Sequence, residues 1–385
     1  MKVSILGSTG SIGTSTLNVI KENADHFSLN LLTANSNDKK LLHQCKNFLP
    51  EYAYMADIKA SRKLQKNLKL ENVKTKVLTS DKDLHEVIAS DETEIVVAGM
   101  VGVAGLEPVL TSIVNGKRLL LANKESYVVA GEYLNNLAQQ NKATIFPIDS
   151  EHSAIHQCLA GSLNSKNEVS RIILTGSGGP FLNRDASLLK DITIEEAISH
   201  PIWSMGKKIS VDSSTMMNKG LELIEARWLF NIEDIEILIH PEGIIHSMVE
   251  FKDNSVIAQL SLPDMKIPIA YGLGYPSRIV SGTENLNLEK LGSLSFLSPD
   301  FNKFPCLNLA LEAMSCSGNA PAALNAANEV AVVAFLENKI GYLDIYKVIS
   351  LVMDRIEIST VKDIQDVYET DRFARECALK AIKSL

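Results

Sequence analysis

The chain has 385 residues, a formal net charge of −8 at pH 7, 45% hydrophobic and 22% charged residues. That length exceeds what one hydrophobic core organises and predicts two or three domains, and the composition is that of a globular protein, neither disordered nor fibrous. The acidic balance argues against a nucleic-acid partner, and no stretch reaches the roughly 18 apolar residues of a membrane span, so a soluble protein without membrane or nucleic-acid partners is expected.

The chain opens with a strand pattern, KVSIL, with neither a signal peptide nor a transit peptide before it, which predicts a cytoplasmic protein. Its five cysteines, Cys45, Cys158, Cys306, Cys316 and Cys377, are scattered and form no C-x-x-C. Neither a disulfide framework nor a zinc site is suggested. Up to residue 148, short β-rich runs (KVSIL, SLNLLTA, YAYMA, EIVVAGM, RLLLAN, ATIFPID) alternate with helical stretches. Strands alternating with helices predict βαβ units in a Rossmann-like, doubly wound parallel sheet. Residues 149–277 change texture, with glycine clusters and the alternating runs IIHSMVEF and SVIAQLSL. Such alternation predicts antiparallel strands covered on one face, hence an α+β catalytic domain. Residues 278–302 read as a connecting segment, and 303–385 carry helical periodicity, predicting a C-terminal helical bundle.

The first loop, LGSTGSIG, spaces Gly7, Gly10 and Gly13 as G-x-x-G-x-x-G between a strand and a helix. Free N–H groups at a helix N-terminus favour a phosphate, so the turn predicts a dinucleotide, with the Ser8 and Thr9 hydroxyls inside the loop supporting it. After the second strand comes LLTANSNDKK. Asn35, Ser36 and Asn37 offer hydrogen-bonding groups without a carboxylate to repel a 2′-phosphate, and Lys39 and Lys40 follow closely, which favours NADP over NAD.

In PIDSEHSAI, Asp149 and Glu151 flank Ser150 directly after a strand. If the backbone stays extended, residues two apart point to one side and the carboxylates converge at the strand's C-terminal end. Helix capping by Asp149 ahead of an acidic first turn would give the same letters. Glu222, in NKGLELIEA, offers a third carboxylate. Three oxygen donors without an organised Cys/His set suit Mg²⁺ or Mn²⁺, with Co²⁺ a further candidate. LTGSGGPF places Ser177 in a glycine turn that could receive an anion or simply connect two elements, and Ser213, Asn218 and Lys219 add donors for a phosphate oxygen. In HPIWSMG, His200 and Trp203 lie on a loop, residues 199–206, that could close over a substrate or tuck one aromatic into the core.

Taken in order, LGSTGSIG, LANKES, PIDSEHSAI, LTGSGGPF, HPIWSMGKKISVDSSTMMNKGLE and ALNAANEVAV closely resemble the 1-deoxy-D-xylulose 5-phosphate reductoisomerase family over nearly the whole chain. The resemblance implies NADPH- and metal-dependent rearrangement and reduction of a sugar phosphate in isoprenoid precursor biosynthesis, by retro-aldol cleavage, re-addition and hydride transfer, in a homodimer. It implies Thr9, Gly10, Ser11 and Ile12 as the pyrophosphate turn, Asn35, Ser36 and Asn37 as the adenosine-phosphate loop, and Asn123, Glu125 and Gly206 as further cofactor contacts. Asp149, Glu151 and Glu222 match metal ligands, with Lys124 and Ser150 around the reacting oxygens. Ser177, His200, Ser213, Asn218 and Lys219 match the substrate-phosphate pocket, with Trp203 on its lid. Some members carry Gly-Lys-Asn where this chain has Asn35-Ser36-Asn37, so the cation expected beside the 2′-phosphate is missing there, with Lys39 or Lys40 as substitutes. The rivals are a metal-independent semialdehyde-type dehydrogenase, which would need a nucleophilic cysteine, and a non-catalytic NADP-sensing regulator. Cys158, in the apolar helical pattern AIHQCLAG, reads as inert.

Overall fold

Seven short runs build the first sheet: β1 (Lys2–Leu6), β2 (Ser28–Ala34), β3 (Tyr52–Met55), β4 (Lys76–Leu78), β5 (Ile95–Ala98), β6 (Arg118–Leu121) and β7 (Thr144–Pro147). The computed structural model describes residues 1–161, 165–203 and 205–385, with side chains throughout these except at 165 and 166. Residue 204 of the expected 199–206 flap thus lies outside the described residues. All seven strands run parallel in the order β4-β3-β2-β1-β5-β6-β7, the Rossmann-like arrangement expected. The order reverses between β1 and β5, the switch point where open α/β sheets leave a crevice for a ligand. The glycine turn follows β1, so it sits at that crevice.

β4 is an unexpected strand. It has only three residues, lies at the sheet edge, and is too short for alternation to register. The chain divides into two compact units, the first comprising residues 1–126, 134–153 and 264–285, the second 127–133, 154–263 and 286–385. In the first unit Val3, Ile5, Val97 and Leu120 of the sheet share a core with Leu17 and Ile20 of the Ser11–Glu22 helix. Ile269, Ala270 and Leu273 of the Lys266–Gly274 helix join the same core. That helix comes back from more than a hundred residues downstream and packs closely: a Cβ on Gly272 would stand 3.0 Å from Leu120 Cγ.

The second unit holds β8 (Val169–Gly176), β9 (Ile235–Ile239), β10 (Ile245–Phe251) and β11 (Val256–Leu260), in the order β11-β10-β8-β9. β10 is antiparallel to both β8 and β11, as the alternating runs imply. β9 was not expected and pairs parallel to β8, so the sheet is mixed, because the helix-bearing stretch between them works as a crossover. Ile172, Leu174 and Val249 of this sheet lie in one buried cluster with Leu221 and Ile224 and with Leu307, Ala310, Leu324, Ala327, Ile345, Val348 and Ala378. The last seven of these come from the helices Cys306–Cys316, Ala320–Leu336, Asp344–Met353 and Ile364–Ser384. The alanine-rich pattern permits close helix contact: a Cβ on Gly220 would come 2.4 Å from that of Ala310.

Candidate active site

In the first unit, Gly7 has φ +82° and a Cβ there would stand 2.8 Å from the Gly99 carbonyl oxygen, so strand β5's end and the turn meet at backbone distance. A Cβ on Gly13 would fall 2.3 Å from Ser8 Cα and 2.6 Å from Gly7 O. These two glycines make the turn tight enough to aim the first N–H groups of the Ser11–Glu22 helix outward. Gly10 is its N-cap and brings no side chain to those groups, while Gly10 and Ser11 are exposed and Thr9 and Ile12 half-buried. The arrangement suits a phosphate. Ser8 does not face the turn's outside: it is buried, and its hydroxyl donates to Thr33 O at 3.1 Å and to Gln44 Oε1 at 2.8 Å.

At the second loop, Asn35 and Ser36 are exposed, but Asn37 caps the Asp38–Phe48 helix by accepting from Lys40 N at 3.1 Å. Lys40 folds back, its ammonium donating to Thr9 O at 2.8 Å, which places a cation between the 35–37 loop and the glycine turn. Lys39 is exposed. Asn123 is buried and organises the next loop, donating to Met100 O at 2.8 Å and Gly102 O at 3.0 Å while also contacting Glu125 at 3.2 Å.

Asp149 and Glu151 do not lie on an extended backbone. β7 ends at Pro147 and a helix starts at Ser150, so Asp149 sits just before its first turn and accepts from Glu151 N at 3.3 Å. The side-by-side arrangement comes from a helix start, because Asp149's carbonyl is already taken by Ser153 N at 2.9 Å. Lys124 Nζ lies 2.9 Å from one Asp149 oxygen and His152 Nδ1 3.5 Å from the other, while Ser150 Oγ donates to Glu151 at 2.5 Å. His152 is fully buried beside Asp149, a placement not expected from the sequence. Its i+3 spacing from Asp149 was the available signal, had the helix start been placed.

In the second unit Glu222 is 1% exposed on the Met217–Phe230 helix, and its carboxylate accepts from Asn218 and Lys219 one turn earlier. Lys219's stem crosses the end of β8, where a Cβ on Gly176 would meet its Cε at 2.7 Å. Next along, Ser177 Oγ pairs with His200 Nε2 at 3.1 Å, and His200 Nδ1 accepts from Ile202 N at 3.2 Å and Trp203 N at 2.9 Å. With Nδ1 accepting twice, the proton sits on Nε2, and burial pushes the imidazole's pKa down, keeping the ring neutral. Half-buried Trp203 stands 6.3 Å from the His246 ring at 53°. Ser213 is half-buried on the Lys207–Ser214 helix, whose exposed N-cap is Gly206. The structure therefore groups Lys124, Asp149, Ser150 and Glu151 in one unit and Ser177, His200, Trp203, Asn218, Lys219 and Glu222 in the other. Cys158 is buried, with its thiol pushed up to about 11 by burial, which makes it a poor candidate for the nucleophile that a semialdehyde-type chemistry would require.

Among the described residues no helix is long and apolar enough to cross a membrane. Family models match residues 3–131 as 1-deoxy-D-xylulose 5-phosphate reductoisomerase, residues 145–230 as the C-terminal domain of that enzyme and residues 260–377 as the DXP reductoisomerase C-terminal domain. The reductoisomerase of Nitrosomonas eutropha is 49% identical over 383 residues, 98% of this chain and 93% of the relative. That of Aliivibrio salmonicida is 46% identical over the whole of both chains. A crystal structure of DOX-P reductoisomerase in complex with NADPH, fosmidomycin and magnesium superposes with a TM-score of 0.94 at 41% identity, covering 100% of this chain and 98% of the other. The Zymomonas mobilis enzyme in complex with NADPH gives 0.92 at 40% identity, over 100% and 99%. The chain belongs to the 1-deoxy-D-xylulose 5-phosphate reductoisomerase family.

Proposed function

We propose that the chain converts 1-deoxy-D-xylulose 5-phosphate and NADPH, with one proton, into 2-C-methyl-D-erythritol 4-phosphate and NADP⁺, a step toward isoprenoid precursors. Relatives described with NADPH and magnesium support the cofactor pair. The residues fit both groups: a helix N-terminus behind a glycine turn for the pyrophosphate, and an all-carboxylate donor set for a hard divalent cation, Mg²⁺ or Mn²⁺. Asp149, Glu151 and Glu222 would hold that ion, and Thr9 to Ile12, Asn35 to Asn37, Asn123, Glu125 and Gly206 would contact NADPH. When bound, the cation supplies Lewis acidity at the ketone and hydroxyl oxygens, and NADPH supplies the hydride.

The chain's own groups do the rest. Lys124, already paired with Asp149, is placed to add positive charge where oxyanion character develops, and Ser150, bonded to Glu151, orients the neighbouring substrate hydroxyl. Ser177, Ser213, Asn218 and Lys219 bind the distal phosphate, and neutral His200 offers its Nε2–H beside them. Holding that phosphate keeps the cleaved fragments together for recombination. Trp203 covers the site and excludes water. Residues 1–148 would serve the cofactor and 149–277 the metal and substrate. We further propose a cytoplasmic homodimer, supported by the exposed Val256, Ile257 and Leu260 on edge strand β11.

The observation that carries the reading is Glu222: a carboxylate buried at one turn's distance from two phosphate-type donors, beside the glycine turn after β8. The test is a measurement of NADPH absorbance with deoxyxylulose phosphate and Mg²⁺. Oxidation that stops with EDTA and resumes with Mg²⁺ or Mn²⁺ is expected. Absence of oxidation would leave only a nucleotide sensor, and oxidation indifferent to chelator would remove the metal.

A further inference from the structure

Two stretches whose role the half-sites leave open, the start of VDSST and the alanine-rich ALNAANEV, meet inside the second unit. Asp212, 1% exposed, immediately precedes Ser213 on the Lys207–Ser214 helix. One carboxylate oxygen accepts from Asn328 Nδ2 at 2.8 Å, and the other lies 2.9 Å from Lys208 Nζ. The Ser214 carbonyl accepts from the Tyr342 hydroxyl at 2.6 Å. Asn328 is fully buried on the Ala320–Leu336 helix, and Tyr342 is 5% exposed in the turn beyond it. Between these two anchors, the Ser213 carbonyl backs onto Gly179, where a Cβ would come within 2.6 Å. Three consecutive residues are thus held by three different parts of the unit.

A carboxylate is an expensive group to bury, and packing alone would be served by an apolar side chain of similar volume. What the ionic and amide contacts add is direction: a buried amide-to-carboxylate bond with its ion pair favours one arrangement of its helices and penalises the neighbouring ones. Sliding or rotating the Lys207–Ser214 helix would break both anchors together. We propose that Asn328 and Tyr342 are positioning residues for the substrate-phosphate half-site: through Asp212 and Ser214 they set the place of the helix that presents Ser213 at one end and begins at Gly206, where the 199–206 loop ends. The inference rests on the role given to Ser213 above. Neither residue touches the substrate; they act through the helix.

The test compares Asn328→Asp, the double variant Asn328→Asp with Asp212→Asn, and Tyr342→Phe in the full-length enzyme. Asn328→Asp sets two carboxylates against each other and should raise KM for deoxyxylulose phosphate about tenfold or more, with KM for NADPH within about twofold. The double variant rebuilds an amide-to-carboxylate bond in the reverse sense and should return KM to within about threefold of native. Tyr342→Phe removes a single oxygen and should raise the same KM about fivefold. A merely structural role would lower the thermal midpoint and the active fraction while leaving both KM values alone. Native-like substrate KM in Tyr342→Phe, or a raised KM in Asn328→Asp that the double variant does not restore, overturns the clamp. If Asn328→Asp fails to fold, Tyr342→Phe alone decides. No turnover by the native chain would overturn the functional reading itself, whereas native turnover with unmoved KM values in the variants overturns only the clamp.

Discussion

Replacing Glu222 by Gln keeps the side chain's shape and removes its charge. Glu222 is 1% exposed, and Lys219, which donates to it from three residues earlier, is 5% exposed. Taking the anion from such a pair costs about 3–5 kcal/mol, because the remaining ammonium is desolvated with its counter-charge gone. At roughly 2–4 °C per kcal/mol for a unit of this size, the metal-free variant should melt roughly 6 to 20 °C lower. Turnover should fall at least about 10³-fold, since losing a third of the anionic donor set removes several kcal/mol of charge stabilisation. NADPH affinity, which the proposed function places on residues of the other unit, should stay within about twofold by nucleotide fluorescence titration. Differential scanning fluorimetry with and without Mg²⁺ separates the effects: the native protein should gain stability with the ion and the variant should not. A variant that turns over within tenfold of native and keeps the Mg²⁺-induced rise would refute the assignment of Glu222 and the reasoning from its burial.

The remaining expectations concern the turn, the loop and the imidazole. Gly13→Ala would press a Cβ against Ser8 Cα at 2.3 Å, and since both neighbours are backbone the turn must shift; NADPH affinity should drop at least about tenfold, and a native dissociation constant would show that the turn does not hold the pyrophosphate. Trp203→Ala should raise KM for deoxyxylulose phosphate more than it changes KM for NADPH, and steady-state kinetics identical to native would mean that the indole only packs. His200 is held neutral by burial, so the folded chain binds fewer protons than the unfolded one just below the imidazole's ordinary value of about 6.5. Its contribution is complete above that pH and is lost on acidification, so the fall in melting temperature from about pH 7.5 to about 5.5 should be smaller in His200→Gln than in the native protein. Equal falls would remove His200 from the account.

Much of the architecture was legible because its signals are local. Short β-branched runs alternating with helical periods identify the parallel sheet of the first unit, and the G-x-x-G-x-x-G spacing identifies the tight turn between its first strand and first helix. The acidic, serine and lysine residues of the candidate site were likewise legible as residue types at spacings. β4 and β9 escaped, the first because three residues carry no period, the second because its stretch, IEILI, gives no sign that its partner is β8. For Asp149 and Glu151 the letters allow an extended backbone or a helix cap, since a strand end and a helix start share them, and the structure takes the second.

What the amino-acid order by itself determined, then, is which elements form and which chemistry-bearing side chains they carry, since helix and strand periods and turn residues act over a few positions. Tertiary structure alone decided that the Lys266–Gly274 helix closes the first core, that Ser8 turns inward onto Thr33 and Gln44, and that Asn328 and Tyr342 grip the helix bearing Ser213. Each of those outcomes turns on where an apolar face or a buried polar atom finds its partner, often more than a hundred positions away. Burial rewards such pairings only once the chain has folded, so they leave no periodic trace in the order of residues.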